Sequence, residues 1–140
     1  PGKTKLINYF LVNDNLYFVD LPGYGYAKLS KKNKIEISKI NQTYFKNRHQ
    51  LKQIFLLIDI RHKLQVIDLE FMSFLKTIEK DFIIIFTKKD KIKDTVVDNY
   101  CEDFLKSIEN IYHKKEYFVS SSKTRYGREG ILEYIAKVSH

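Results

Sequence analysis

Asp20-Leu21-Pro22-Gly23-Tyr24-Gly25-Tyr26-Ala27 follows the short apolar run Leu16-Tyr17-Phe18-Val19, and together these stretches decide how the chain is read. The run has the length and composition of a strand, and its continuity predicts a buried one. An aspartate therefore ends a strand and opens a Pro-Gly turn with a Gly-rich continuation. In open α/β sheets, ligands bind in the crevice beyond the carboxyl ends of the strands. A carboxylate in that position can hold a magnesium ion through water. Gly23 has no Cβ, so its N–H can approach a terminal phosphate closely. Asp-x-x-Gly alone is also an ordinary strand-to-loop turn, and the neighbouring segments decide between the two.

Downstream, Leu29 to about Asn47 reads as an amphipathic helix, with Ile37, Ile40 and Tyr44 at spacings of three and four and Ser30 able to cap its start. Its exposed face carries Lys31, Lys32, Lys34, Lys39 and Lys46, either a solvated face or a surface for RNA phosphates. Ile54-Phe55-Leu56-Leu57-Ile58-Asp59 is continuously apolar up to its aspartate, the mark of a strand buried on both faces. Arg61-His62 behind it is surface loop or a partner contact. Ile67, Phe71, Phe74, Leu75 and Ile78 then form a helical packing stripe.

Phe82-Ile83-Ile84-Ile85-Phe86 is a second fully buried strand, and it delivers Thr87-Lys88-Lys89-Asp90. A carboxylate at the mouth of a parallel sheet can accept hydrogen bonds from the ring N–H and exocyclic amine of guanine. Adenine offers no matching donor pair, and sites built on such bonds reject the analogue by factors of roughly 10⁴. The aliphatic stem of Lys88 can lie along the base. Val97, Cys101, Phe104, Leu105 and Ile108 make another stripe, which puts the single cysteine on a packed face as a structural thiol. The short strand Tyr117-Phe118-Val119 ends at Ser120-Ser121-Ser122-Lys123, where small residues let backbone N–H groups reach a base carbonyl. A helix from Gly127 to Val138 closes the chain.

Upstream, Pro1-Gly2-Lys3-Thr4 imitates the end of a Walker A phosphate loop. That motif needs an earlier glycine, a preceding strand and a following helix. Here Leu6 to Val12 is β-forming material, closed by the turn Asn13-Asp14-Asn15, so a hairpin follows and the Walker A reading fails. Thr4 instead fits a loop threonine of the kind that reaches magnesium and the terminal phosphate in nucleotide switches.

Apolar runs alternating with helical periods over 140 residues, 44% of them hydrophobic, argue one α/β domain. The net charge of +8 points to an anionic partner, nucleotide or nucleic acid. One cysteine excludes an internal disulfide and a Cys-rich zinc site, and His49, His62, His113 and His140 have no ligand spacing. No apolar run approaches the ~20 residues of a membrane span, and no signal-peptide pattern opens the sequence. Cytoplasm is the expected compartment, with no membrane partner. A Gly-x-Ser-x-Gly elbow is absent, which argues against an α/β-hydrolase.

Asp20-Leu-Pro-Gly23, Thr87-Lys-Lys-Asp90 and Ser121-Ser122-Lys123, each at a strand end, resemble successive boxes of a translation-factor-type GTPase. Pro-Gly-Lys-Thr, the Asn-Asp hairpin, Asp-Leu-Pro-Gly-Tyr-Gly-Tyr-Ala and Asp59-Ile-Arg61-His62 together are similar to the EngB family, from Pro1 to the C-terminus. The resemblance implies a P-loop NTPase-type, Ras-like fold, a mostly parallel sheet flanked by helices. It implies a monomeric GTPase that binds GTP or GDP with magnesium and assists large ribosomal subunit assembly through rRNA and ribosomal proteins, with a link to cell division and septation. Thr4 and Asp20 would serve magnesium, Asp20 through water. Asp20, Leu21, Pro22 and Gly23 would meet the phosphate end. Thr87, Lys88, Lys89 and Asp90, with Ser120, Ser121 and Ser122, would surround the base.

Three departures qualify the resemblance. Thr87 stands where asparagine is commoner and offers fewer hydrogen bonds, so modest base affinity is expected. Tyr24 stands where Ras-like enzymes orient water with glutamine, so slow intrinsic hydrolysis is expected. The family's first strand, Gly-rich phosphate loop and first helix would precede Pro1. The chain is therefore expected to be an N-terminally incomplete G domain, 1–140, inactive by itself and competent once that segment is supplied. The alternative is a degenerate module that keeps the fold remnant and binds rRNA through its lysines, independent of nucleotide.

Overall fold

A computed structural model describes residues 7–23 and 29–140. Thr4 and the rest of Pro-Gly-Lys-Thr, together with Tyr24, Gly25, Tyr26 and Ala27, lie outside the described residues. The chain divides into two compact units, Pro1–Gln50 and Leu51–His140.

In the first unit, β1 (Asn8–Val12) and β2 (Leu16–Asp20) form an antiparallel hairpin with Val12 opposite Leu16. Asn13 and Asp14 sit at φ 50° and 59°, and the Asn15 N–H donates to the Val12 carbonyl at 3.3 Å. Two successive left-handed residues make the type I′ turn that matches strand twist, and short polar side chains tolerate it best. Helix α1 (Lys31–Asn47) starts where expected, with Ser30 Oγ accepting the Asn33 N–H at 3.2 Å. Ile37, Tyr44 and Phe45 are buried, whereas Ile40 and Lys34 are half-buried and Lys31, Lys32, Lys39 and Lys46 are exposed.

The hairpin corrects one expectation. Leu16-Tyr17-Phe18-Val19 is a strand but not a buried one: Tyr17 is 60% exposed and Phe18 is exposed as well. Among the described residues β2 pairs only with β1, and a two-stranded ribbon covers little of either face. Apolar composition marked the strand, but the number of covering layers sets its burial.

The second unit is built on a parallel sheet of β3 (Ile54–Asp59), β4 (Phe82–Thr87) and β5 (Tyr117–Val119), in the order β3-β4-β5. Its helices are α2 (Val66–Thr77), α3 (Asp94–Ser107) and α4 (Arg128–Val138). Side chains alternate between sheet faces, so Phe82, Ile84 and Phe86 share one face and Ile83 and Ile85 the other. On the first, the rings of Tyr100 and Phe104 of α3 meet Phe86 at 5.7 and 5.2 Å, and Tyr112 stacks on Phe82 at 5.1 Å. On the second, Tyr134 of α4 meets Phe118 at 5.4 Å and Phe55 at 6.0 Å. Helices thus cover both faces of β4, whose Phe82–Phe86 segment is buried throughout, as its sequence predicts.

β3 differs from its expectation of two-sided burial. Ile54, Leu56 and Ile58 are buried, but Leu57 is 62% exposed. It is an edge strand of the described sheet, and Tyr134 reaches Phe55 on that face. The α2 stripe is also shifted: Leu75 is buried with Met72, while Ile67, Phe71, Phe74 and Ile78 are half-buried. Val97, Cys101 and Phe104 of α3 and Ile108 just beyond it are buried as predicted, while Leu105 is half-buried. Among the described residues no helix is long and apolar enough to cross a membrane.

Candidate functional site

The parallel strands of the second unit end side by side, and their C-terminal loops carry most of the residues singled out from sequence. Thr87 closes β4, and its hydroxyl donates to the Ile58 carbonyl at 3.3 Å, tying the ends of β3 and β4 together. The next residue, Lys88, is left-handed at φ 61°, ψ 38°. That reversal starts a 3₁₀ turn, Lys89–Lys91, which carries Asp90. The Lys89 N–H donates to the Ser120 carbonyl at 3.0 Å, and the Ser120 N–H donates to the Phe86 carbonyl at 2.7 Å, so the β4 and β5 loops are joined by backbone bonds.

Ser121 is 2% exposed, and its hydroxyl donates to Asp90 Oδ1 at 2.6 Å while accepting the Thr124 N–H at 3.2 Å. One proton and one lone pair are both engaged, so the hydroxyl is fixed and fixes Asp90 in turn. This bond is the main reason the Asp90 carboxyl lies below the ordinary carboxylate range, helped by its own backbone N–H and by Lys91 and Lys123. The Ser121 N–H is bonded to the Tyr126 carbonyl at 3.1 Å. With the N–H groups of Ser120 and Ser121 both engaged internally, Ser122 and Lys123 are the next backbone donors along the turn. Lys89 turns its ammonium to Asp94 and over the ring of Tyr126, 4.5 Å from the centroid.

Asp59, at the end of β3, organises a charged cluster that joins two separate stretches of the sequence, Asp59-Ile-Arg61-His62 and Thr87-Lys88-Lys89-Asp90. Arg61 grips it in fork geometry, Nε to Oδ1 at 3.1 Å and Nη2 to Oδ2 at 2.8 Å, and adds its backbone N–H at 3.0 Å. Lys88 Nζ lies 3.2 Å from Asp59 Oδ2, and His62 Nε2 lies 3.6 Å from the same oxygen. The Arg61 bonds, with smaller help from Lys88, hold the Asp59 carboxyl far below the usual carboxylate range. Like Asp20 and Asp90, Asp59 is a carboxylate at the end of an apolar strand.

In the first unit, Asp20 is the exposed last residue of β2, opposite Asn8. Leu21 is half-buried, Pro22 is buried and Gly23 is exposed. A Cβ on Gly23 would meet nothing within 4 Å among the described residues. Asn41, on the inner side of α1 and 3% exposed, donates its amide to the Pro22 carbonyl at 3.0 Å and so holds the turn after Asp20. Its Oδ1 is buried and without a partner among the described residues. No group of three or more His, Cys, Asp and Glu gathers there to hold a metal, again among the described residues.

A family model described as a 50S ribosome-binding GTPase matches residues 1–88. A "Probable GTP-binding protein EngB" of Flavobacterium johnsoniae is 48% identical, across 99% of this chain and 67% of that protein. Its counterpart in Christiangramia forsetii is 45% identical, across 100% of this chain and 71% of that one. A crystal structure of a probable GTP-binding protein engB superposes with a TM-score of 0.74 at 22% identity, covering 97% of this chain and 84% of that one. Era, in complex with MgGDPNP and nucleotides 1506–1542 of 16S ribosomal RNA, superposes at 0.72 with 20% identity, covering 98% of this chain and 45% of Era. At those identities the two structures establish the fold, the α/β architecture of P-loop GTPases.

Proposed function

We propose that this chain, which belongs to the EngB family of GTP-binding proteins, is part of a guanine-nucleotide switch that works on the large ribosomal subunit. The observation that carries the base-binding half is the Ser121–Asp90 bond. A carboxylate held by a buried hydroxyl, at the mouth of a parallel sheet, is already oriented to accept two N–H bonds from guanine. Orientation before binding removes an ordering cost that a free side chain would bear on binding. Ser122 and Lys123 supply the backbone donors toward the base carbonyl. The stem of Lys88, anchored at its tip by Asp59, lies along the base, and Thr87 braces the loop through Ile58.

Magnesium fits the exposed carboxylate of Asp20. This ion binds through one or two carboxylates and substrate phosphates and keeps several waters, so one strand-end aspartate acting through water is enough of a carboxylate contribution. The ion would neutralise charge on the phosphates. Asn41 would keep the Pro22–Gly23 turn, and with it the Gly23 N–H, in place for a terminal phosphate. Thr4 is the proposed second ligand.

Residues outside this sequence would supply a phosphate loop and a strand for the edge of β3 that is unpaired among the described residues, completing a single G domain with slow hydrolysis. The chain spans 67–71% of the relatives quoted above, which leaves room for such a segment. Cytoplasmic residence and a role in ribosome assembly and cell division follow the same reading.

Co-sedimentation with large ribosomal subunits tests it. A switch binds more tightly with a non-hydrolysable GTP analogue than with GDP. Equal binding with either nucleotide, or with none, would favour a nucleotide-independent rRNA-binding module.

A further inference from the structure

The first unit carries a groove of about 560 Å³ that the nucleotide-switch reading does not use, lined by Ile7 and Tyr9 on the β1 side and by Lys39, Ile40, Thr43, Tyr44, Asn47 and Arg48 on the α1 side. Its volume falls within the range of about 300–1,000 Å³ typical of small-ligand clefts. Its chemistry is divided in two. Ile7, Tyr9, Ile40 and Tyr44 supply apolar and aromatic surface. Lys39, Thr43 and Asn47, spaced by four, form one row along the helix with a cation, a hydroxyl and an amide in succession. Between the two lies Arg48, its guanidinium 5.5 Å from the Tyr9 ring centroid and 5.4 Å from that of Tyr44. Its Nη2 donates to Tyr9 Oη at 2.6 Å. The guanidinium is therefore already held beside both rings.

From this geometry we infer that the groove binds single-stranded RNA, taking one unstacked base against the exposed ring of Tyr9 and the guanidinium of Arg48, with its phosphates on Lys39. Flat aromatic and guanidinium surfaces are what unstacked bases seek. Charge complementarity points to the same occupant. Helix α1 holds Lys31, Lys32, Lys34, Lys39 and Lys46 against the single acid Glu36, and Arg48 follows directly. An acidic peptide without aromatic residues would match the charge but bring no flat ring system to Tyr9. The inference rests on the ribosomal reading only for the source of the RNA; the groove itself is separate from the residues proposed to hold guanine.

The test uses the full-length protein and a fluorescein-labelled single-stranded oligouridylate of about eight nucleotides, within the usual site sizes of roughly 4–16. Lys39→Gln should weaken binding about fivefold and lower the salt slope by about 0.7, the loss of one phosphate contact on a single strand. Tyr9→Leu should weaken it at least fivefold. Lys106→Gln, a same-charge change on α3, should leave both quantities unaltered, and all three variants should bind a fluorescent GDP analogue as the parent does. Equal losses in Lys39→Gln and Lys106→Gln would reduce the effect to diffuse charge and overturn the inference. So would a duplex of the same length, or free uridine monophosphate, binding as tightly as the single strand. RNA binding absent while GDP binding stands would remove the groove and leave the nucleotide switch intact. Loss of large-subunit binding in Lys39→Gln, without any affinity for free RNA, would assign the groove to a protein instead.

Discussion

Ser121 donates its hydroxyl proton to Asp90 Oδ1 at 2.6 Å, joining two loops whose residues are 31 apart in sequence. A buried residue on the β5 loop thus sets the direction of a carboxylate on the β4 loop. If this carboxylate selects guanine, the serine is part of the selection. Ser121→Ala should weaken GDP binding about tenfold, because the hydrogen bond that orients the carboxylate is lost. Titration calorimetry would measure it. An unchanged affinity would mean that Asp90 needs no such support.

The Asp59 cluster gives a pH prediction with a definite sign. Its carboxyl is depressed below 3.8 by Arg61 and Lys88, so it stabilises the fold above about pH 4 and loses that contribution as pH falls further. Asp59→Asn should destabilise the protein by about 1–2 kcal/mol at pH 7 and flatten the acid limb of the stability curve. Denaturant melts at pH 7 and pH 3 would measure both. Lys88 would also lose its anchor, and GDP affinity should fall alongside.

Cys101 is fully buried in α3, and burial raises its thiol from 9.0 to about 12. A raised folded value favours the neutral thiol in the native state. Its stabilising effect is therefore complete below about pH 9 and is lost as pH rises from there toward 12. At pH 8 the native protein should react with a thiol reagent only as fast as it opens, while the unfolded chain reacts at once. A rapid native reaction would contradict the packing of α3 on β4.

Two glycines in one short stretch should respond in opposite directions. Gly127 sits at φ 76°, and a Cβ there would come within 2.0 Å of the Val119 carbonyl oxygen. Gly127→Ala should cost about 3 kcal/mol or more and lower Tm by roughly 10 °C. Gly130 lies inside α4, and a Cβ there would meet Phe118 at an ordinary 3.9 Å. Gly130→Ala should stabilise by about 0.5–1 kcal/mol. Thermal melts of the two variants decide the matter.

The turn after Asp20 depends on Asn41. Asn41→Ala removes the amide that holds the Pro22 carbonyl, leaving that buried acceptor without its donor. In the complete protein, affinity for a GTP analogue should fall more than affinity for GDP, because only the former carries the third phosphate proposed to meet Gly23. Parallel displacement titrations would show the difference.

Elements governed by local patterns were legible in the sequence. The Asn13-Asp14 turn, the Ser30 cap, the α3 stripe and the buried Phe82–Phe86 strand all stand where their residues predict. Burial of β2 and of Leu57 was not legible, because it depends on which layers lie against a strand rather than on the strand itself. Within the site, Thr87-Lys88-Lys89-Asp90 and Ser121 announced themselves by standing at strand ends. The Arg61–Asp59–Lys88 bridges did not, since the register that sets Asp59 beside Thr87 is a property of the folded sheet. The Asn41 contact with Pro22 crosses 19 residues and was hidden for the same reason.

The most direct test of the central claim is competition for a fluorescent GDP analogue on the full-length protein and its Asp90→Ala variant. The account predicts displacement by GDP but not by ADP, with selectivity of roughly 10⁴, and collapse of that selectivity in Asp90→Ala. Equal displacement by ADP, or full GDP selectivity retained in Asp90→Ala, would contradict it.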